Sequence, residues 1–140
     1  MPIKGLEVLK IKIIVVSGGF DPIHSGHIEY FKAAKKLGDH LIVALNSDGW
    51  LQKKKGNFFM SFLERKTIIS NLVVVDEVID FEDDEKGSCV SALEKIKLNY
   101  PAEEIIFCNG GDRKSDNIPE MSVDGITFCF GVGGNHKMNS

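Results

Sequence analysis

Ser17-Gly-Gly-Phe-Asp-Pro-Ile-His-Ser-Gly-His27 follows the apolar residues Ile11, Ile13, Ile14, Val15 and Val16 and precedes Ile28, Phe31, Ala34 and Leu37. The β-branched run predicts a buried parallel strand. The later residues, spaced by three, predict one face of a helix, with Gly38 placed to stop it. The quoted stretch is therefore a strand-to-helix turn. In an open parallel sheet such a turn lies at the carboxyl edge of the strands, where the first N–H groups of a helix welcome an anion. Gly18 and Gly19 let backbone approach a phosphate, Pro22 stiffens the turn, Gly26 leaves room, and His24 and His27 can face one bound group. Two imidazoles donating to phosphate oxygens stabilise the charge that grows during displacement, and no base is needed when the attacker is itself a phosphate. Either histidine alone reads as an ordinary turn residue. The strand, the glycine pair, the spacing and the helix together carry the functional reading.

Composition bounds the rest. A chain of 140 residues is one domain with enough length to bury a core, and its net charge of −3 argues against an extended nucleic-acid surface. Phosphate affinity must be local. Cys89, Cys108 and Cys129 lie far apart with no C-x-x-C pair, so they read as reduced and buried, and neither a zinc site nor another protein-held metal is expected. Residues 1–10 are mixed and charged, which predicts no membrane segment and a cytoplasmic home.

Along the chain, residues 41–45 make a second buried run, joined to the first by the helix as a right-handed crossover. Asn46-Ser47-Asp48 ends it and caps a short helix through Trp50 and Leu51. Lys53, Lys54, Lys55 and Gly56 read either as a solvated loop or as a mobile cationic arm closing over phosphates. Ser61-Phe-Leu-Glu64 is a capping box, so a helix should begin there and bury Ile68, Ile69 and Leu72. Residues 76–81 form a third strand, the acidic residues 82–85 a solvated loop, and Val90, Leu93 and Ile96 a helix face ending before Pro101. Residues 105–108 are a fourth strand running into Asn109-Gly-Gly-Asp-Arg113, which repeats the glycine-turn logic of the first. Residues 116–124 read as a specificity loop or an oligomer contact, and Ile126, Phe128 and Phe130 as the last strand. The order is β-α-β-α-β-α-β-β, an α/β, Rossmann-like, doubly wound, mainly parallel five-stranded sheet with helices on both faces.

The signature H-x-G-H at residues 24–27, preceded by G-x-F-D from Gly18 through Phe20 and Asp21, resembles the nucleotidyltransferase superfamily of cytidylyltransferases. In detail it is similar to the glycerol-3-phosphate cytidylyltransferase and heptose-phosphate adenylyltransferase branches. Class I aminoacyl-tRNA synthetases share a related motif, but on far longer chains. The resemblance covers almost the whole chain. It implies a single nucleotidyltransferase domain over residues 1–140, in which CMP or AMP passes from CTP or ATP, carried with Mg2+, to a polyol phosphate or sugar phosphate with release of pyrophosphate. The rival expectation is a nucleotide-binding module without catalysis.

The same resemblance implies further roles. His24 and His27 are the catalytic pair, and Gly18, Gly19, Phe20, Asp21 and Gly26 form their nucleotide-binding turn. A phosphate-contacting lysine is Lys55 in the heptose register, before Gly56, or Lys53 in the cytidylyltransferase register, after Gln52. Arg65, within an E-R … V-D-x-V stretch, faces the substrate phosphate as a planar guanidinium suited to two-point contact. Gly111 and Asp112 belong to the G-G-D motif that fixes the nucleotide, while Asn109 and Arg113 stand where the heptose branch has a lysine and an aromatic residue. Arg113 is grouped with the phosphate contacts. Lys137, Asn139 and Ser140 occupy the place of the final phosphate-binding turn, with the helix that follows it in the family not reached before the last residue. A homodimer is implied as well, consistent with apolar Phe58, Phe59 and Met60.

Overall fold

Ile13, Ile14, Val15 and Val16 are wholly buried on both faces of β1 (Lys12–Gly18), as expected of a β-branched run at the centre of a parallel sheet. In the computed structural model, which describes residues 11–110 and 119–132, β1 pairs with β2 (His40–Leu45) on one side and β4 (Glu104–Gly110) on the other. β3 (Glu77–Ile79) flanks β2, and β5 (Ile126–Val132) flanks β4. The sheet order is β3-β2-β1-β4-β5, every pair parallel. The expected doubly wound α/β sheet is therefore present, and its direction of winding reverses between β1 and β4.

Alternate residues point to opposite faces. Ile13, Val15, Ile42, Ala44 and Phe107 pack with Ala92, Leu93 and Ile96 of α4 (Val90–Asn99). Ile14, Val16, Leu41 and Val43 pack with Phe31 and Ala34 of α1 (Ser25–Lys35) and Ile69 of α3 (Phe62–Ser70). Each buried Val, Leu, Ile or Phe among them contributes about 1.5–3 kcal/mol, so a strand covered on both faces is firmly placed.

Three local expectations are corrected. Helix α1 stops at Lys35, so Leu37 lies beyond it and is 41% exposed rather than on the buried face. Gly38 is needed for space: a Cβ there would sit 2.6 Å from Ile14 Cδ1 and 2.8 Å from the Lys12 carbonyl. The lysine run is neither loop nor arm but the last turn of α2 (Asp48–Lys55). The Ser47 hydroxyl caps that helix from Trp50 N at 3.0 Å, Gly56 closes it at φ 88°, and three lysines complement the negative end of the helix. Ser61 does cap α3, its hydroxyl accepting from Glu64 N at 3.3 Å. The acidic turn is fastened to α2, since Ser47 donates to Asp83 and the Trp50 indole to the Gly87 carbonyl. Among the described residues, no helix is long and apolar enough to cross a membrane.

Candidate active site at the carboxyl edge of the sheet

The turn after β1 is built around Phe20. Its φ of 50° is left-handed, a conformation that costs a non-glycine residue about 1–2 kcal/mol. Packing offsets that cost, for the ring meets His27 at 4.9 Å and Phe31 at 5.0 Å, both edge-on. Gly18 and Gly19 make this possible. A Cβ on Gly18 would lie 2.8 Å from the Phe20 ring, and one on Gly19 would lie 2.7 Å from Leu51 Cδ2. The Cβ position of each glycine is thus taken by the protein's own side chains, so both glycines are required by the packing of the turn itself. The next peptide, Asp21–Pro22, is cis.

His24 and His27 cap α1 with each other. His24 Nδ1 accepts from Gly26 N at 3.0 Å, and His27 Nδ1 accepts from His24 N at 3.2 Å. Their rings stack with centroids 3.9 Å apart and planes inclined by 27°. A ring whose Nδ1 accepts a hydrogen bond carries its proton, when neutral, on Nε2, so the cap assigns the same tautomer to both. Burial, and secondarily the charge of His24, push the His27 pKa down to about 4, leaving it neutral at pH 7. Its Nε2 is buried and has no hydrogen-bond partner among the described residues. An unpaired buried donor costs about 1–3 kcal/mol, so the turn holds a donor ready for an acceptor at the positive end of α1.

The other charged residues of this edge brace the turn. Arg65 is fully buried; Nε donates to Met60 O at 3.0 Å, Nη1 to Gly19 O at 2.9 Å and Asn46 O at 2.7 Å, and Nη2 to Asp48 Oδ1 at 2.7 Å. The guanidinium expected to face a substrate phosphate is instead spent on tying β1, β2, α2 and α3 together. Asp21 accepts from Phe59 N and Met60 N at 2.6 Å each, and from Lys55 Nζ at 3.2 Å. Burial raises its pKa, yet the two N–H groups and the ammonium outweigh burial and hold it below the ordinary value. Lys55 also donates to the Asp21 carbonyl at 2.9 Å.

The structure thus gathers Gly18, Gly19, Phe20, Asp21, His24, Gly26, His27, Lys55 and Arg65 at the end of β1. Lys53 is elsewhere, in a groove with Trp50, Lys54 and residues 83–87. Gly111, Asp112, Arg113, Asn139 and Ser140 lie outside the described residues. Sequence reasoning missed the Arg65 brace, the histidine cap and two buried groups near the site. Asn109 is 5% exposed, with Nδ2 unpartnered among the described residues, and Glu120, in a 3-10 turn at Pro119–Ser122, caps α4 by accepting from Cys89 N at 2.8 Å. A buried asparagine ending a strand beside a glycine turn was the available signal for the first; nothing local marks the second. Of residues 116–124, expected as a specificity loop or oligomer contact, 119–124 are described, and they contribute Glu120 and Val123 to the buried interior.

Comparison with known proteins places this geometry. A family model described as cytidylyltransferase-like matches residues 15–121. The bifunctional protein HldE of Haemophilus ducreyi is 37% identical over 120 residues, covering 78% of this chain and 25% of that protein. HldE of Erwinia tasmaniensis is 36% identical over 138 residues, covering 89% and 29%. The chain therefore spans little more than a quarter of the length of these curated relatives. Among solved structures, a lipopolysaccharide core biosynthesis protein from Thermoplasma volcanium superposes with a TM-score of 0.65 at 25% identity, covering 86% of this chain and 95% of that one. A protein of unknown function from Archaeoglobus fulgidus shares the fold with a TM-score of 0.58 at 14% identity, covering 91% and 94%.

Proposed function

The chain belongs to the cytidylyltransferase-like family, and from that premise we propose that it is a nucleotidyltransferase acting on a phosphorylated sugar. An oxygen of the acceptor phosphate attacks the α-phosphorus of CTP or ATP in line. The new P–O bond forms as the bond to the β-phosphate breaks, and pyrophosphate leaves with the electron pair. No proton has to be removed from the nucleophile, which suits a site whose histidines are arranged as donors. The observation that carries the reading is the unpartnered Nε2 of His27 at the amino end of α1. Such a donor strengthens its bond as negative charge develops on the phosphate oxygens. His24 stacks on it and shares the cap.

Lys55 is the phosphate lysine in this reading, because Asp21 holds it at the β1 turn whereas Lys53 lies in the groove beside Trp50. Lys55-Gly56 is also the register that resembles the heptose branch, which favours a sugar phosphate over a polyol phosphate as acceptor. Magnesium would come with the nucleoside triphosphate as part of the substrate and would offset the charge of its phosphates. Asp112 and Gly111 fix the nucleotide, Arg113 adds a phosphate contact, and Asn139 and Ser140 complete the final turn. Two copies associate through Phe59 and Leu63, which are 78% and 72% exposed at the start of α3.

Exchange of labelled pyrophosphate into CTP and ATP, with a panel of sugar phosphates and their nucleotidyl products supplied, tests the reading. Exchange with one nucleotide is expected. Nucleotide binding without exchange or product would instead make the chain a binding module.

A further inference from the structure

Among the described residues, the carboxyl edge holds a second unpartnered buried donor, Nδ2 of Asn109 on β4. The β1–β4 register runs from Lys12–Glu104 to Val15–Phe107, and Asn109 follows two residues further along β4. Alternation along β4 puts Asn109 on the face of Phe107, the α4 side, while His27 belongs to α1 on the opposite side. A ligand lying over the edge between β1 and β4 is thus met from both faces, at the point where the sheet reverses its winding.

The charged groups say which part of the ligand each face receives. The amino end of α1 and the partly exposed Lys55 lie at the β1 turn, and this side suits phosphates. On the α4 face Glu120 already accepts the Cys89 N–H at the start of the helix, so that helix end is less open to an anion than the end of α1. Asn109 carries no charge to hold phosphate, yet offers an amide that costs free energy until it finds an acceptor.

We propose that Asn109 is a specificity-determining contact that donates Nδ2–H to an uncharged acceptor of the nucleoside, a ribose hydroxyl or a base heteroatom, while the phosphates lie at α1. The assignment rests on the nucleotidyl-transfer reading above.

The test is Asn109→Leu, which keeps side-chain size and removes the amide. Calorimetric titration of ATP, CTP and inorganic tripolyphosphate into wild type and variant is paired with the melting temperature of the unliganded proteins. The variant should melt at or above the wild-type temperature, because an unpaired buried group is gone. It should bind the preferred nucleotide about tenfold more weakly, the effect of one lost hydrogen bond, and bind tripolyphosphate as wild type does. Deoxynucleotides separate the two acceptors: the variant's penalty vanishes against the 2′- or 3′-deoxy form if a hydroxyl is the partner, and persists if the base is. Unchanged nucleotide affinity overturns the proposal, as does a large fall in melting temperature with equal weakening for tripolyphosphate, which marks a structural role. Asn109→Ala repeats the comparison if the leucine variant does not fold. A wild-type protein that binds neither nucleotide nor tripolyphosphate overturns the nucleotidyl-transfer reading and this assignment with it.

Discussion

His27 is held neutral by its surroundings, and that has a consequence for stability. Its folded pKa of about 4 lies below the ordinary 6.5, so the unfolded chain takes up this proton first as the pH falls. The stability tied to the neutral ring is fully present above pH 6.5 and is lost progressively as the pH drops toward 4. The full difference amounts to about 3 kcal/mol. Urea midpoints across that window should fall steeply for wild type. They should fall less for His27→Gln, whose amide can still cap His24 N in the manner of a capping-box glutamine but does not titrate. Equal slopes would mean that His27 is not the buried neutral group. The H-x-G-H spacing was plain in the sequence, but its use as a reciprocal cap was not, because helix caps are expected from Ser, Thr, Asp and Asn rather than from an imidazole Nδ1.

Among the elements, the turn after β1 is held by residues from α2 and α3. Arg65 anchors three carbonyls and Asp48 through a fixed fork of donors, which a lysine cannot reproduce. Arg65→Lys should therefore lower unfolding stability by about 2–4 kcal/mol in a urea titration, the scale of several buried acceptors left unpaired. A change within a few tenths would deny the brace. The lysines divide by position on α2. Lys55→Ala should reduce kcat/KM for pyrophosphate release about tenfold or more, as loss of a charged contact does, while Lys53→Ala should change it little. The reverse order would move the phosphate site to the Trp50 groove. At this scale the sequence misled where a run of charge suggested a solvated loop or a mobile arm: the lysines of α2 face solvent, but Ser47 and Gly56 bracket a helix around them. The capping box at Ser61 was legible because its signal is local, whereas the fate of Arg65 depends on carbonyls many residues away.

For the molecule as a whole, topology was readable because runs such as residues 13–16 and 41–45 are apolar at every position, which only a strand covered on both faces requires. The partners of buried polar groups were not readable, since Asn109 and Glu120 acquire their meaning from packing of distant segments. The exposed Phe59 and Leu63 bear on assembly. Sedimentation of wild type should show a dimer that Phe59→Ser shifts toward monomer; a monomeric wild type would remove the interface. Most of the proposal converges on one imidazole at the end of β1. The most direct measurement is the rate of pyrophosphate release by His27→Ala at saturating nucleotide and acceptor, on protein confirmed to be folded by its melting transition. A loss of about a hundredfold or more is expected from removing one preorganised donor; turnover near that of wild type would contradict it.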